Sequence, residues 1–379
     1  MSKYVDITII GSGVVGLAVG AAVAGLGRDI YLLEKNNSFG LETSSRNSQV
    51  IHSGLYYPEG TLKAKTCVEG NSMIYKISAQ NEIAHKRITK IIVANNEKET
   101  VELEELKNNG ERNGVAGLRL LTKSEVKRLE PNVNAAAALF VPSTGIIDVH
   151  ELMKYFFYSA KNNGVKVVFN EKVTGIKKIN EGFEVQVTDG GGNFNFKTRI
   201  LINCAGLYAQ EIAEMAGIDT IKSGYKVYYC KGEYFKVADS KSKMVTRLVY
   251  PVPPIGLTGV GIHVTIDFDG RMRLGPGVKY IDTIDYSVDE SKKMLFYENV
   301  KRFLPFLSEE DLTPEMAGIR PKLQGPGQKQ RDFIISHEKE KDLAGLINLI
   351  GIESPGLTAS PAIADLVRNI VRNIVRKIN

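Results

Sequence analysis

A chain of 379 residues, 43 % hydrophobic and 24 % charged, has room for two domains sharing an interface and has the composition of a soluble globular protein, not of a disordered or fibrous one. No apolar stretch approaches the roughly 18 residues of a membrane span. The net charge of +6 is dispersed without a Lys/Arg block, which argues against nucleic acid as a partner and leaves a mild preference for anionic ligands. Cys67, Cys204 and Cys230 lie far apart and form no C-x-x-C. Zinc, iron–sulfur or any other resident metal is therefore not expected, and the cysteine usage fits a reducing, cytoplasmic setting.

The chain opens on an apolar run, Tyr4 to Ile10, which predicts a buried strand where a secretory leader would stand. Gly11-Ser12-Gly13-Val14-Val15-Gly16 follows, then a small-residue helix from Leu17 to Leu26, then a second apolar run ending at Leu33-Glu34-Lys35. That order is the βαβ fingerprint of a dinucleotide site. Gly11 allows a tight turn. Gly13 lets the backbone approach a diphosphate at the helix N-terminus, where Val14 and Val15 form the first turn, and Gly16 lets helix and strand pack closely. Glu34 is placed to accept hydrogen bonds from a ribose diol, with Lys35 beside it.

Thr43 to Gly54 is poor in apolar residues and rich in short hydrogen-bonding side chains, a weak former of helix or strand on its own. Ser44, Arg46, Asn47 and Ser48 are suited to phosphates, ribitol hydroxyls and a flavin edge. Glu97 to Asn113 is charge-rich and reads as an exposed helix. A second Rossmann-like block comes later: a helix from Val149 to Asn163, a strand Val165–Phe169, and Val173 opening a further strand. A hairpin then turns at Gly190-Gly191-Gly192, with strands Phe183–Val187 and Phe194–Lys197. A separate strand, Arg199 to Asn203, ends on Cys204-Ala205-Gly206 before a helix from Tyr208 to Ala216. A third block runs from Leu346 to Gly351 and, after Pro355-Gly356-Leu357-Thr358, into a final helix.

Three separated pieces, residues 1–80, 141–220 and 331–379, are thus expected to build one cofactor domain. Residues 81–140 and 221–330 are expected to form a mostly antiparallel α+β substrate domain. The final helix carries apolar residues Ile363, Val367, Val371 and Ile374 on one side and Arg368, Arg372, Arg376 and Lys377 on another. It reads as a helix docked on the sheet. The other reading is a basic amphipathic helix touching the inner membrane face, where a quinone is available as electron acceptor.

The combination of Gly11/Gly13/Gly16, Thr43 to Gly54 ending in His52-Ser53-Gly54, Asn203-Cys204-Ala205-Gly206 and Gly356-Leu357-Thr358 resembles the D-amino-acid-oxidase-type FAD-dependent oxidoreductases. The resemblance spans nearly the whole chain and implies a discontinuous, Rossmann-like, glutathione-reductase-type fold binding FAD non-covalently. Within that group the chain is most similar to the L-2-hydroxyglutarate dehydrogenases. The residues that carry this are Val50 to Pro58, Leu62 to Cys67, Tyr250-Pro251-Val252-Pro253, Gly259 to Thr265, Leu274-Gly275-Pro276, Gly318 to Lys322 and Gly351 to Thr358. Two departures touch the substrate end: Gly277 to Asp282 replaces a longer basic-aromatic segment, and Lys231 stands where the family has arginine.

The resemblance implies oxidation of a small anionic 2-hydroxy acid, L-2-hydroxyglutarate to 2-oxoglutarate, with hydride passing to flavin N5 and electrons leaving to a quinone, another acceptor or oxygen. Glycerol 3-phosphate dehydrogenation and amine or amino-acid oxidation fit the same fold, and a non-catalytic flavoprotein subunit is a further alternative. His263 or His52 would take the hydroxyl proton, with His263 preferred. Arg320 matches a carboxylate bidentately and Tyr250 offers a hydroxyl. A dicarboxylate needs a second cation, for which Lys322, Lys231, Arg271 and Arg273 are the choices. Val173, Ala205 and Gly206 join the cofactor contacts. The helix start at Gly356, Leu357 and Thr358 would steady negative charge on the reduced ring.

Overall fold

The computed structural model describes residues 4–253 and 261–378. Gly259 and Val260, in the motif ahead of His263, lie outside them. Two large sheets dominate. In the first, Lys166–Val168, Ile30–Leu33, Tyr4–Ile10, Asn193–Asn203 and Leu346–Ile350 run parallel in that order, with Ile334–His337 antiparallel at the edge. Both faces are covered, so the strands read as near-continuous apolar runs. Ile7, Ile9, Ile202, Ile347 and Leu349 face the helices Val14–Ala24, Val149–Asn162 and Gly356–Ile378, while Ile10, Leu201, Leu346 and Ile350 face the helix Ala209–Met215.

One expectation fails here. The hairpin strand and the strand that follows it are a single strand, Asn193–Asn203. Its first half pairs antiparallel with Gly182–Thr188, and its second half enters the parallel sheet. The side chains change from exposed to fully buried along it. The polar-to-apolar change at Lys197–Ile200 thus marks entry into a covered layer, not a chain break.

The second sheet has nine strands drawn from residues 90–141 and 228–322. Its described pairings are antiparallel except for Lys90–Ala94 beside Leu248–Pro251. The long strands Tyr228–Val237 and Leu312–Lys322 place Cys230 opposite Arg320. A small third sheet, Val50–Ile51, Gly145–Ile147 and His85–Lys86, lies outside both.

Close backbone approach joins these parts. Gly11 has φ +99°, and a Cβ on Gly16 would lie 1.9 Å from the Gly11 carbonyl oxygen. Helix Val14–Ala24 can therefore sit hard against the strand end only with glycine there. Likewise a Cβ on Gly318 would meet the Arg46 carbonyl oxygen at 2.0 Å. The Thr43 hydroxyl donates to the Ile319 carbonyl at 3.0 Å. The polar loop after the first βαβ is thereby fastened to the strand that carries Arg320.

The final helix, Gly356–Ile378, packs along Val14–Ala24 and Leu62–Gln80. Its apolar residues Ile363, Val367, Val371 and Ile374 are buried in that contact, and Arg372 and Arg376 are exposed. No described helix is long and apolar enough to cross a membrane.

Candidate active site

A cavity of about 470 Å³ opens between the two sheets. Small-molecule sites commonly have this size. Three parts of the chain converge on it. Gly13, Val14 and Val15 come from the first helix start, and Ser44, Arg46, Asn47 and Ser48 from the loop fastened to Ile319. Gly356 and Leu357 come from the final helix start. Gly206 joins them at the end of the strand Asn193–Asn203.

The dinucleotide end is built from backbone. No side chain caps helix Val14–Ala24 at Gly13, so its first N–H groups remain available to an anion apart from that of Val14, which donates to Ser44 Oγ at 3.0 Å. Glu34 directly follows the strand Ile30–Leu33 and is 8 % exposed. Its Oε2 accepts from the N–H and hydroxyl of Ser12, both at 2.9 Å, and its Oε1 from Asn36 N–H. A carboxylate offers about four lone-pair sites, so one remains, on Oε1, for a ribose hydroxyl. Arg46 lies 4.1 Å above the Tyr286 ring, and its buried Nε has no partner among the described residues, as expected of a donor held for a ligand. These residues fit FAD.

Other expected contacts stand off the cavity wall. Gly11 and Gly16 shape the turn behind it. Lys35 pairs with Glu42 at 2.5 Å and lies over the Tyr208 ring. Val173 is buried among Leu33 and Val187. The Ala205 N–H donates to Asn203 Oδ1 at 3.2 Å. The Thr358 hydroxyl oxygen accepts from the His52 N–H at 3.0 Å, so it positions His52 and does not itself line the space.

Gly13 gives a direct test. A Cβ there would lie 3.0 Å from Ser44 Oγ, in the space before the helix N-terminus, and its φ of −68° suits alanine. Gly13→Ala is expected to fold and to bind FAD about tenfold more weakly, a loss of about 1.4 kcal/mol. Titration of the apoprotein by flavin fluorescence measures this.

At the other end His52, His263, Tyr250 and Arg320 all line the cavity. His263 is 3 % exposed and stacks on Tyr250 with centroids 3.7 Å apart. Its Nδ1 lies 2.8 Å from the Gly261 carbonyl oxygen, which can only accept. Nδ1 therefore carries the proton, and Nε2 keeps the lone pair a base needs. Burial first, and then the positive charge of Lys90, push both His52 and His263 down to about 3. Both imidazoles are neutral before an anion arrives. Tyr56 also lines the cavity, and the Tyr56 and Tyr250 hydroxyls are buried without partners among the described residues. Arg320 Nη2 donates to the Gly277 carbonyl at 2.8 Å.

The structure places the four candidate second cations differently. Lys322 lines the cavity. Lys231 pairs with Asp285 at 2.6 Å, Arg273 with Glu315 at 2.7 Å and Arg271 with Asp269 at 3.4 Å, and these three lie off the wall. Three residues without a role in the sequence reading complete the cluster or stand behind it. Glu353, 7 % exposed, bridges Lys63 at 3.0 Å and Lys322 at 3.3 Å. Burial alone would raise the Glu353 carboxyl, but Lys63, Lys322 and Arg320 hold it below its ordinary value. Lys90 lies behind Tyr56 and Tyr250. The available signal was a lone charge bordering an apolar or small-residue run, as in Lys90-Ile91-Ile92-Val93 and Gly351-Ile352-Glu353.

Residues 6–370 match a family model described as DAO, FAD dependent oxidoreductase. The chain is 37 % identical to a protein named L-2-hydroxyglutarate dehydrogenase, mitochondrial, from Arabidopsis thaliana, over 97 % of this chain and 83 % of that one. It is 30 % identical to a glycerol 3-phosphate dehydrogenase of Caloramator mitchellensis, over 99 % and 76 % of the two chains. Among solved structures, an FAD-bound L-alpha-glycerophosphate oxidase from Mycoplasma pneumoniae superposes with a TM-score of 0.84 at 28 % identity, covering 99 % of this chain and 94 % of that one. Glycine oxidase from Geobacillus kaustophilus shares the fold at 20 % identity and a TM-score of 0.79. On the match along nearly its whole length, this chain belongs to the DAO family of FAD-dependent oxidoreductases.

Proposed function

We propose that the chain oxidises L-2-hydroxyglutarate to 2-oxoglutarate. One observation carries this beyond the family: Arg320, Lys322 and Lys63 share a single buried carboxylate, Glu353, at the cavity wall. Three cations thus face one carboxylate among the described contacts, and Lys63, Lys322 and Glu353 are buried. A monoanion such as lactate leaves part of that positive charge uncompensated and zwitterionic glycine leaves all of it, whereas a dianion balances it. Several curated L-2-hydroxyglutarate dehydrogenases among the relatives support the reading. Glycerol 3-phosphate is the second reading, supported by its own dianionic charge and by the relatives named for it.

Bound FAD supplies the acceptor for the hydrogen and electron pair of the substrate C2–H bond. The first helix start with Gly13, Val14 and Val15 would hold its diphosphate, Glu34 its ribose, and the Ser44–Ser48 loop and the Gly356–Thr358 helix start the flavin end. Arg320 grips the carboxylate next to C2, and Lys322 meets the distal one. The unpartnered Tyr56 and Tyr250 hydroxyls are positioned to bond substrate oxygens. His263 Nε2 takes the hydroxyl proton, and the second negative charge of the bound acid offsets the burial that disfavours imidazolium. A further acceptor must then carry the electrons away.

The test is anaerobic bleaching of the FAD-loaded protein by L- and D-2-hydroxyglutarate, lactate, malate, glycerol 3-phosphate and glycine. L-2-hydroxyglutarate is expected to bleach it fastest. Bleaching by glycerol 3-phosphate alone would move the chain to the second reading. Bleaching by an amine alone would remove it from hydroxy-acid chemistry, and a flavin that none of them reduces would point to a non-catalytic subunit. In the same assay His263→Ala is expected to slow reduction about a hundredfold or more. A variant as fast as its parent would transfer the base role to His52.

A further inference from the structure

Lys90 opens the strand Lys90–Ala94 and is 0 % exposed. Its Nζ has no hydrogen-bond partner among the described residues. It lies 4.7 Å from the centroid of the Tyr56 ring and 4.7 Å from that of Tyr250. Both rings line the cavity, and Tyr250 stacks on His263. An ammonium without a counter-ion is among the costliest groups to bury, and two ring faces compensate only a fraction of that cost. Where filling space is the sole requirement, methionine or leucine is the better residue. A lysine in this place calls for a use of its charge.

The groups around Lys90 are countable. The segment after Ile51 brings His52 and Tyr56, the helix Leu62–Gln80 brings Cys67, the strand Leu248–Pro251 brings Tyr250, and the strand His263–Ile266 brings His263. The neighbouring strand Ala137–Val141 has no titratable side chain, and the helix Glu97–Arg112 meets this region through Leu103 and Leu106. Burial pushes the Cys67 thiol and the Tyr56 and Tyr250 hydroxyls up, so none of them is negative near neutrality. Among the described residues, the surroundings contain no fixed anion to hold the ammonium.

We propose that Lys90 is a positioning residue that shares one positive charge with the catalytic histidine: while it is protonated, its charge behind the Tyr250 ring opposes imidazolium formation, and once it is neutral His263 can take the substrate's proton. The inference rests on the reading of His263 as the base. In the step itself the substrate O–H bond breaks and its proton passes to His263 Nε2. The C2–H bond breaks and its hydrogen and electron pair pass to FAD. Lys90 exchanges its own proton with solvent beforehand and forms no bond to substrate. Burial lowers the Lys90 ammonium to about 7, so the exchange falls within the working pH range. Below that pH Lys90 is charged and the rate falls; above it the rate levels off.

The experiment follows kcat/KM for flavin reduction of the FAD-loaded chain from pH 5.5 to 9. The reductant is L-2-hydroxyglutarate or, should only that substrate bleach the protein, glycerol 3-phosphate. The parent is expected to gain about tenfold per pH unit below an inflection near 7 and then to level. Lys90→Met should lose that inflection and exceed the parent about tenfold at pH 6. Lys90→Arg, which stays charged, should remain on the lower limb and trail the parent at least tenfold at pH 8. Equal losses at every pH with the inflection retained in both variants would overturn the proposal.

A second measurement needs neither a variant that folds nor the correct substrate. Lysine-selective NMR of the parent should show one amine titrating near pH 7, assigned by its absence in Lys90→Arg or, if that fails to fold, by contacts to tyrosine ring protons. A parent whose lysines all titrate above about 9 would refute the shared-charge device while leaving the substrate reading intact.

Discussion

An Arg320→Met variant is expected to take up FAD like its parent and to lose about a thousandfold in kcat/KM for L-2-hydroxyglutarate. The guanidinium is anchored by its protein contacts: Nη2 donates to the Gly277 carbonyl at 2.8 Å, and Nε lies 3.4 Å from the Cys230 carbonyl. These bonds fix its plane and leave donors for a carboxylate in bidentate contact. Its charge does not titrate away at any working pH. Losing one partner of a desolvated charge pair costs about 2–5 kcal/mol, and a thousandfold corresponds to about 4 kcal/mol. Methionine fills the space without donors, so the fold and the cofactor loop, fastened to the neighbouring Ile319, are retained. Arg320→Lys keeps the charge without the fork and should recover part of the loss, mainly in KM. Stopped-flow reduction with each variant reads both constants. A Met variant within tenfold of the parent would mean that the carboxylate is held elsewhere.

The contrast between Arg320 and Glu353 shows what a sequence discloses. Gly11, Gly13 and Gly16 were legible because backbone approach leaves no alternative residue, and their spacing is fixed by a single local turn. Arg320 was legible through its motif. Its neighbour Lys322 was not distinguishable from Lys231, Arg271 or Arg273, because three of the four lie on strands of the same sheet, Arg271 directly precedes one, and they differ in which carboxylate the fold brings to them. Lys231 meets Asp285, and Lys322 meets Glu353 from 31 residues away. Glu353 and Lys63 are 290 residues apart, and no local pattern joins them. Lys90 is a similar case. One lysine ahead of Ile91-Ile92-Val93 reads as the exposed end of a strand, until the sheet places it under two tyrosines. The strand Asn193–Asn203 was divided in two because its polar half and its apolar half belong to different layers, and periodicity over a short window reports the layer and not the continuity of the strand.

The second large effect is expected from Glu353→Gln, in stability and not in chemistry alone. Glutamine matches the shape and can still accept hydrogen bonds, but it leaves Lys63 and Lys322, 2 % and 3 % exposed, without their shared counter-charge beside Arg320. Breaking a buried ion pair from one side costs about 3–5 kcal/mol because an uncompensated charge stays behind. The melting temperature of the FAD-loaded protein should fall by roughly 4–6 °C, because a chain of 379 residues unfolds with an entropy of about 0.8 kcal/mol per kelvin. The pH dependence gives the sign independently. In the parent, the folded Glu353 carboxyl lies below its ordinary value, so its stabilisation is complete above the unfolded value near 4.5 and is lost as pH falls through the folded one. The glutamine variant lacks that acid limb. Burial lowers Lys322 below 10.5, so the folded state sheds this proton more readily than the unfolded state. The variant should therefore regain stability as pH rises toward that value, where the trapped charge is released. A dianion does the same by compensation: 2-oxoglutarate should raise the variant's melting temperature more than the parent's, and lactate should not. A variant that melts within a degree or two of its parent, at every pH and with either acid, would show that the three cations are balanced by some other group, and the charge argument for a dianionic substrate would fall with it.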